Sequence, residues 1–186
     1  MFSNDESTVY LASDASNEVI AMDPRSGQVF WRLPVPAAHE LAVTHNQRLL
    51  YVSRRTANQL AVIRLDNNRR TAPTGFEDVL TIGLPDTLRL TANEDLMTVG
   101  LRTMPARLAI VHTRSFDVEF VNLAGPGDTT SIGGHQWTSE NGRYTLAAFE
   151  GGSNPGVAII DHAAGNQVIQ TLSYPGRPHG VEHTHP

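Results

Sequence analysis

The chain has 186 residues, 40% of them hydrophobic, with nineteen acidic against fourteen basic residues and a net charge of -5, a length and balance that suit one well-buried globular domain. It contains neither cysteine nor lysine, every basic residue being arginine, which excludes disulfides, thiolate chemistry, Schiff-base catalysis and a P-loop. The arginines never cluster beyond pairs such as Arg54-Arg55 and Arg69-Arg70, read as solvated turns, so no nucleic-acid partner is expected. No apolar run reaches membrane-spanning length, so no membrane partner is expected either. The opening "MFSNDEST" lacks the basic and apolar regions of a secretory leader, which makes the cytoplasm the default compartment and leaves open a leader missing from this sequence.

In chain order, "TVYLASDASNEVIAMD" from Thr8 reads as strand, polar turn, strand, and "QVFWRLPV" supplies a third strand. The run "HELAVT" then opens a second unit, continued by "LLYVSRRTANQLAVIRLD" and "DVLTIGL". A third unit reads "DTLRLT", "DLMTVGLRTMPARLAIVHT", "DVEFVNLAG", and a fourth "HQWTSE", "RYTLAAFEGGSNPGVAIID", "QVIQTLSYP". Gly, Pro, Asn and Asp punctuate the joints, and nothing shows a sustained helical stripe. A four-stranded unit therefore recurs about every 45 residues, with Tyr10, Tyr51, Met97 and Tyr144 read as one column. The expectation is all-β: a β-propeller of four repeats of four-stranded blades.

The closing "RPHGVEHTHP" fits the same frame, because "PHGVEHT" aligns with "AHELAVT". The last residues then read as an innermost strand, and the first residues as a blade that lacks one. The expected single domain over 1–186 places blade 1 at 8–36 plus 178–184, blade 2 at 39–83, blade 3 at 86–123 and blade 4 at 133–173. Sharing one blade between the two ends removes exposed edges. The alternative is half of a seven- or eight-bladed propeller, so both a monomer and a homodimer are consistent with the pattern.

The pieces "HELAVTHNQRLLYVS" and "RPHGVEHTHP" resemble the YVTN-type β-propeller repeat, in which Pro-His-Glu/Gly leads an apolar strand, a Pro-Asp-Gly turn and a "YV" strand. The resemblance covers nearly the whole chain and implies the propeller fold. It includes lactonase and surface-layer-like propellers, together with lyases and electron-transfer proteins, so it implies no single function. Here "HNQR" stands in place of the usual turn after Thr44, and the third repeat is the most degenerate.

One column of the innermost strands carries chemistry: His39, Asp86, His135 and His179, at spacings of 47, 49 and 44. In a propeller these positions line the mouth of the central channel. Three imidazoles and a carboxylate there form a candidate site for one divalent metal, Zn, Fe, Cu, Ni or Mg, with positions open for water or substrate. The same residues equally serve to cap turns and bond neighbouring backbone. Glu40 and Glu182 are candidates to orient an imidazole, His183 to line the channel beyond His179, and Trp137 to stack on a flat ligand or pack between blades. His45, His112 and His162 read as surface residues. Two functions follow: a metal-assisted lactonase, lyase or cyclase acting on a small molecule, or a non-catalytic propeller that binds a protein or small ligand through its top-face loops.

Overall fold

The computed structural model describes residues 1–180, so Glu182, His183 and most of the expected strand over 178–184 lie outside the described residues. The chain forms two compact units, Met1–Leu88 and the residues from Arg89 onward. In the first, β1 (Val9–Ser13), β2 (Glu18–Met22) and β3 (Val29–Pro34) form a three-stranded meander, and β4 (Ala38–Val43), β5 (Leu49–Arg54), β6 (Gln59–Arg64) and β7 (Glu77–Thr81) a four-stranded one. Both are antiparallel in sequence order, with Tyr10 opposite Ala21, Ala21 opposite Trp31, and Tyr51 opposite Ala42 and Val62. The runs "LLYV" and "LAVI" are apolar at consecutive positions because β5 and β6 are covered on both faces. Their side chains meet Tyr10, Val19 and Trp31 in a core that includes Leu50, Val52 and Ile63, each fully buried aliphatic stabilising by about 1.5–3 kcal/mol.

The unit boundary falls within β8 (Pro85–Leu90), which edges a sheet with β9 (Leu96–Leu101), β10 (Arg107–His112) and β11 (Val118–Asn122). The last sheet contains β12 (Ser131–Thr138), β13 (Tyr144–Gly151), β14 (Gly156–Asp161) and β15 (Gln167–Ser173), again in sequence order. Leu108, Ile110, Val121, Phe149 and Ile160 build the apolar core of this second unit.

One turn occurs four times and fixes the repeat. Ser3, Thr44, Thr91 and Ser139 each present a hydroxyl to a side-chain oxygen two residues on, Asp5, Asn46, Asn93 and Asn141, at 2.8 Å. That oxygen in turn accepts the backbone N–H of Ser7, Arg48, Asp95 or Arg143. Between them sits a left-handed residue, Glu6, Gln47, Glu94 or Gly142. These are Asx and hydroxyl turns that bond the backbone locally, so "HNQR" makes the repeat's turn without proline or glycine. Counting from them, Thr98 and Leu146 are the equivalents of Tyr10 and Tyr51. The column Tyr10, Tyr51, Met97 and Tyr144 therefore slips by one position at Met97 and by two at Tyr144, because the turn sets the register.

Three strands of the first sheet lie among the described residues, and most of the fourth expected there, 178–184, lies outside them. Phe2 bridges Val9, Met1 N donates to Tyr10 O at 3.0 Å, and Tyr10 N donates to Met1 O at 2.8 Å. Met1 and Phe2 thus bond the edge of β1 at Tyr10 and Val9.

Candidate functional site

The first unit brings His39 and Asp86 together. Between Ala38 and Glu40 the β4–β5 register slips by one residue, which makes His39 the extra residue of a bulge and re-aims its ring. Asp86 lies near the start of β8, held by a loop that Asn58 clamps: its backbone C=O accepts from Ile82 N at 2.7 Å and its Oδ1 from Leu84 N at 2.9 Å. Asn58 also caps the 3-10 turn Arg55–Ala57 in a left-handed conformation, so one residue positions both Asp86 and Arg55. Asp86 is 2% exposed, and its Oδ1 lies 2.8 Å from His39 Nε2 and 2.9 Å from Arg55 Nη1. The carboxylate accepts from both, which places the proton of the neutral ring on Nε2 and leaves the basic lone pair on Nδ1. That Nδ1 faces the exposed carboxylate of Asp14 at 3.7 Å. Arg55 Nη1 stands 3.4 Å from His39 Nε2, two donors side by side on one acceptor.

The second unit brings His135 and His179 together, their rings 4.5 Å apart and tilted by 52°. His135 also lies in a bulge, where β12 slips against β13 between Gly133 and Gln136, and its N–H donates to His179 O at 2.8 Å. A side chain on Gly134 would meet that same carbonyl at 2.7 Å, so only glycine admits the approach. Arg102 organises the rest: Nη1 donates to Gly133 O at 2.8 Å and lies 3.3 Å from His179 Nδ1, while Nη2 donates to Glu150 at 2.7 Å. The Arg102 hydrogen bond holds the Glu150 carboxyl below the usual carboxylate range. His179 Nδ1 lies 3.8 Å from Glu150.

Sequence reasoning missed four of these residues: Asp14, Arg55, Arg102 and Glu150. They form a second column, each eleven residues beyond Ser3, Thr44, Thr91 or Ser139, and the repeated turns were the signal that reveals it. The arginine pairs are not idle turns: Arg54 is buried, bonds Pro36 O and Gln59 and pairs with Asp78, and Arg69 pairs with Asp5. Glu40 is half-buried, and its field acts on the Met1 amino group, whose affinity for a proton is lowered chiefly by burial. Trp137 is half-buried with the Arg89 guanidinium 5.9 Å from its ring centre, and it lines a cavity of about 330 Å³ with Ser139, Glu140, Asn141 and Leu146. His162 is structural: Nε2 bonds Thr145 at 2.8 Å and Nδ1 bonds Asn166 at 2.7 Å. Among the described residues, no three His, Asp or Glu side chains gather closely enough to hold a metal.

No protein-family model matches the sequence, and no curated protein does. Solved structures do. Hydrazine synthase of Kuenenia stuttgartiensis is similar at a TM-score of 0.74 and 20% identity, over 93% of this chain and 47% of that one. The periplasmic gluconolactonase of Pseudomonas aeruginosa is similar at 0.73 and 16% identity, over 94% of this chain and 56% of that one. The β-propeller domain of Cps50 (Swd1) from Myceliophteria thermophila is similar at 0.68 and 15% identity, over 93% and 54%. The chain spans about half the length of these structures. At such identities the likeness establishes the fold: this is an all-β chain of the β-propeller kind.

Proposed function

We propose that this chain is a propeller module that binds a small carboxylate-bearing molecule, with Arg55 as the anion-binding group and His39 and Asp86 holding it in place. The observation that carries the reading is the Arg55 to Asp86 contact of 2.9 Å, beside an Arg55 side chain that remains 39% exposed. Its guanidinium is anchored by one nitrogen on a buried carboxylate, and a planar fork so anchored suits a second carboxylate. A divalent metal on His39 and Asp86 fits less well, since a fixed positive charge lies 3.4 Å from the ring nitrogen it would use. The same holds for His179, whose Nδ1 faces Arg102 at 3.3 Å. Thermal-shift titration with succinate tests the reading. A saturable rise in melting temperature for the unaltered chain, absent in Arg55→Gln, is expected; an equal response in both sinks it.

A second reading, hydrolysis of a small lactone to its hydroxy acid, is favoured by the His39 Nε2 to Asp86 distance of 2.8 Å. It draws on the gluconolactonase named among the similar structures. In it His39 Nδ1 takes a proton from water, the hydroxide adds to the lactone carbonyl, the ring C–O bond breaks, and the leaving oxygen takes the proton back from the imidazolium. Asp86 orients the ring, Asp14 stands as counter-charge to the imidazolium, and Arg55 meets the carboxylate produced. Gluconolactone hydrolysis followed by pH-stat is expected to lose its protein-dependent rate in His39→Ala; no protein-dependent rate in the unaltered chain removes this second reading and leaves the binding reading standing.

A further inference from the structure

Two turns of the first unit are clamped alike and meet at His39. Asn17 closes the turn between β1 and β2 in a left-handed conformation, as Asn58 closes the 3-10 turn after β5. The Asn17 backbone C=O accepts from Val35 N at 2.9 Å and its Oδ1 from Ala37 N at 2.9 Å, which fixes the turn carrying Asp14 to the loop that leads into His39. Asn58 fixes Arg55 and Asp86 by the same pair of bonds. His39 therefore stands between a cation and an anion: Arg55 lies 3.4 Å from Nε2 and Asp14 lies 3.7 Å from Nδ1. Both reach solvent, with side chains 39% and 59% exposed. Among the described residues the Arg55 side chain bonds only through Nη1, which leaves the Nε–Nη2 edge of its fork for a ligand carboxylate. The 3.7 Å between His39 Nδ1 and Asp14 is too long for a hydrogen bond, so the Nδ1 lone pair and the Asp14 carboxylate stand side by side as acceptors.

We propose that the ligand of this site is a small amino acid, bound as its zwitterion, and that Asp14 is the residue that selects it. This rests on the carboxylate-binding reading of Arg55 and names the other half of the ligand. Two acceptors 3.7 Å apart suit one ammonium group, whose three N–H donors reach both at ordinary hydrogen-bond lengths. A ligand hydroxyl has a single proton and meets only one of them, and a second carboxylate meets Asp14 as a like charge. The cation and the anion of the site flank the two nitrogen edges of one imidazole ring, so the opposite charges of the ligand stand only a few atoms apart, as they do in alanine.

Alanine, lactate and propionate differ only in the group beside the carboxylate, which makes them the probes. Thermal-shift titration at neutral pH is expected to give a half-saturating concentration about threefold or more lower for alanine than for propionate or lactate. In Asp14→Asn the three are expected to titrate alike, with circular dichroism reporting that the variant keeps its strands, and in Arg55→Gln the response to all three is expected to vanish. Equal responses to the three in the unaltered chain, lost in Arg55→Gln, overturn the amino-acid proposal and leave the carboxylate reading standing. A preference for alanine that survives Asp14→Asn overturns the proposal as well. No response of the unaltered chain to alanine, propionate or succinate overturns both.

Discussion

The two arginine clusters use the same three groups and divide them differently. In the first unit the carboxylate is the hub: Asp86, 2% exposed, accepts from His39 at 2.8 Å and Arg55 at 2.9 Å. In the second unit the guanidinium is the hub, since Arg102 reaches Gly133 O, Glu150 and His179 while the imidazole lies 3.8 Å from the carboxylate. A buried hub holds its partners because leaving it unpaired is costly, whereas a partly solvated hub can exchange partners with water. The first cluster is therefore held more firmly than the second.

The largest expected effect follows from the buried hub. Asp86→Ala should lower stability by about 2–3 kcal/mol, read by urea denaturation, because Arg55 and His39 both lose their acceptor. A loss no greater than that of Glu150→Gln would break the comparison. The units differ in their interiors as well. In the second, Gln136 donates to Thr98 O, and the hydroxyls of Thr98, Thr138 and Thr145 connect to His162, Asn166 and Glu119 by links of 2.7–3.0 Å. Leu50 and Val43 occupy the matching places of Thr145 and Thr138 in the first unit. Thr145→Val should remove about 1–2 kcal/mol by taking the partner from His162 Nε2 and leaving the Thr138 hydroxyl with Thr98 alone, and an unchanged midpoint would mean that the chain of hydroxyls contributes nothing.

Glu150→Gln should cost less than about 1 kcal/mol, since its partner is a partly solvated arginine. The smallest effect is on acid stability. Asp5 is held low by Ser7 and Ser3, Asp128 by the backbone N–H of Thr130 and Ser131, and Glu150 by Arg102. Folded values below the unfolded ones mean that this stability is fully present above about pH 4 and is lost as pH falls through the lower folded values. The melting temperature should be level from neutrality to about pH 5 and fall below about pH 4, with a shallower fall in Glu150→Gln. An identical acid slope in that variant would detach Glu150 from the effect.

The strands and their antiparallel meanders were legible in the sequence, because alternation and the spacing of innermost strands survive divergence; His39, Asp86, His135 and His179 were read there as one column of four, and the contacts of His39 with Asp86 and of His135 with His179 come from the structure. The column Asp14, Arg55, Arg102 and Glu150 was not legible, because two acids and two arginines share no chemical type and only the turn eleven residues before each of them brings them into register. The bulges at His39 and His135 were also invisible: one extra residue leaves no mark on composition, yet it decides where each ring points. Arg54 beside Arg55 looked like a solvated pair, but the repeated turn puts one arginine in the core and the next at the cluster.

Calorimetric titration of the unaltered chain with succinate and, separately, with zinc tests the central claim that a guanidinium, not a metal, takes the ligand in the first unit. Saturable heat with succinate that disappears in Arg55→Gln, and none from zinc that depends on His39, is the predicted outcome. Saturable zinc binding abolished by His39→Ala, with no succinate response in the unaltered chain, would contradict it.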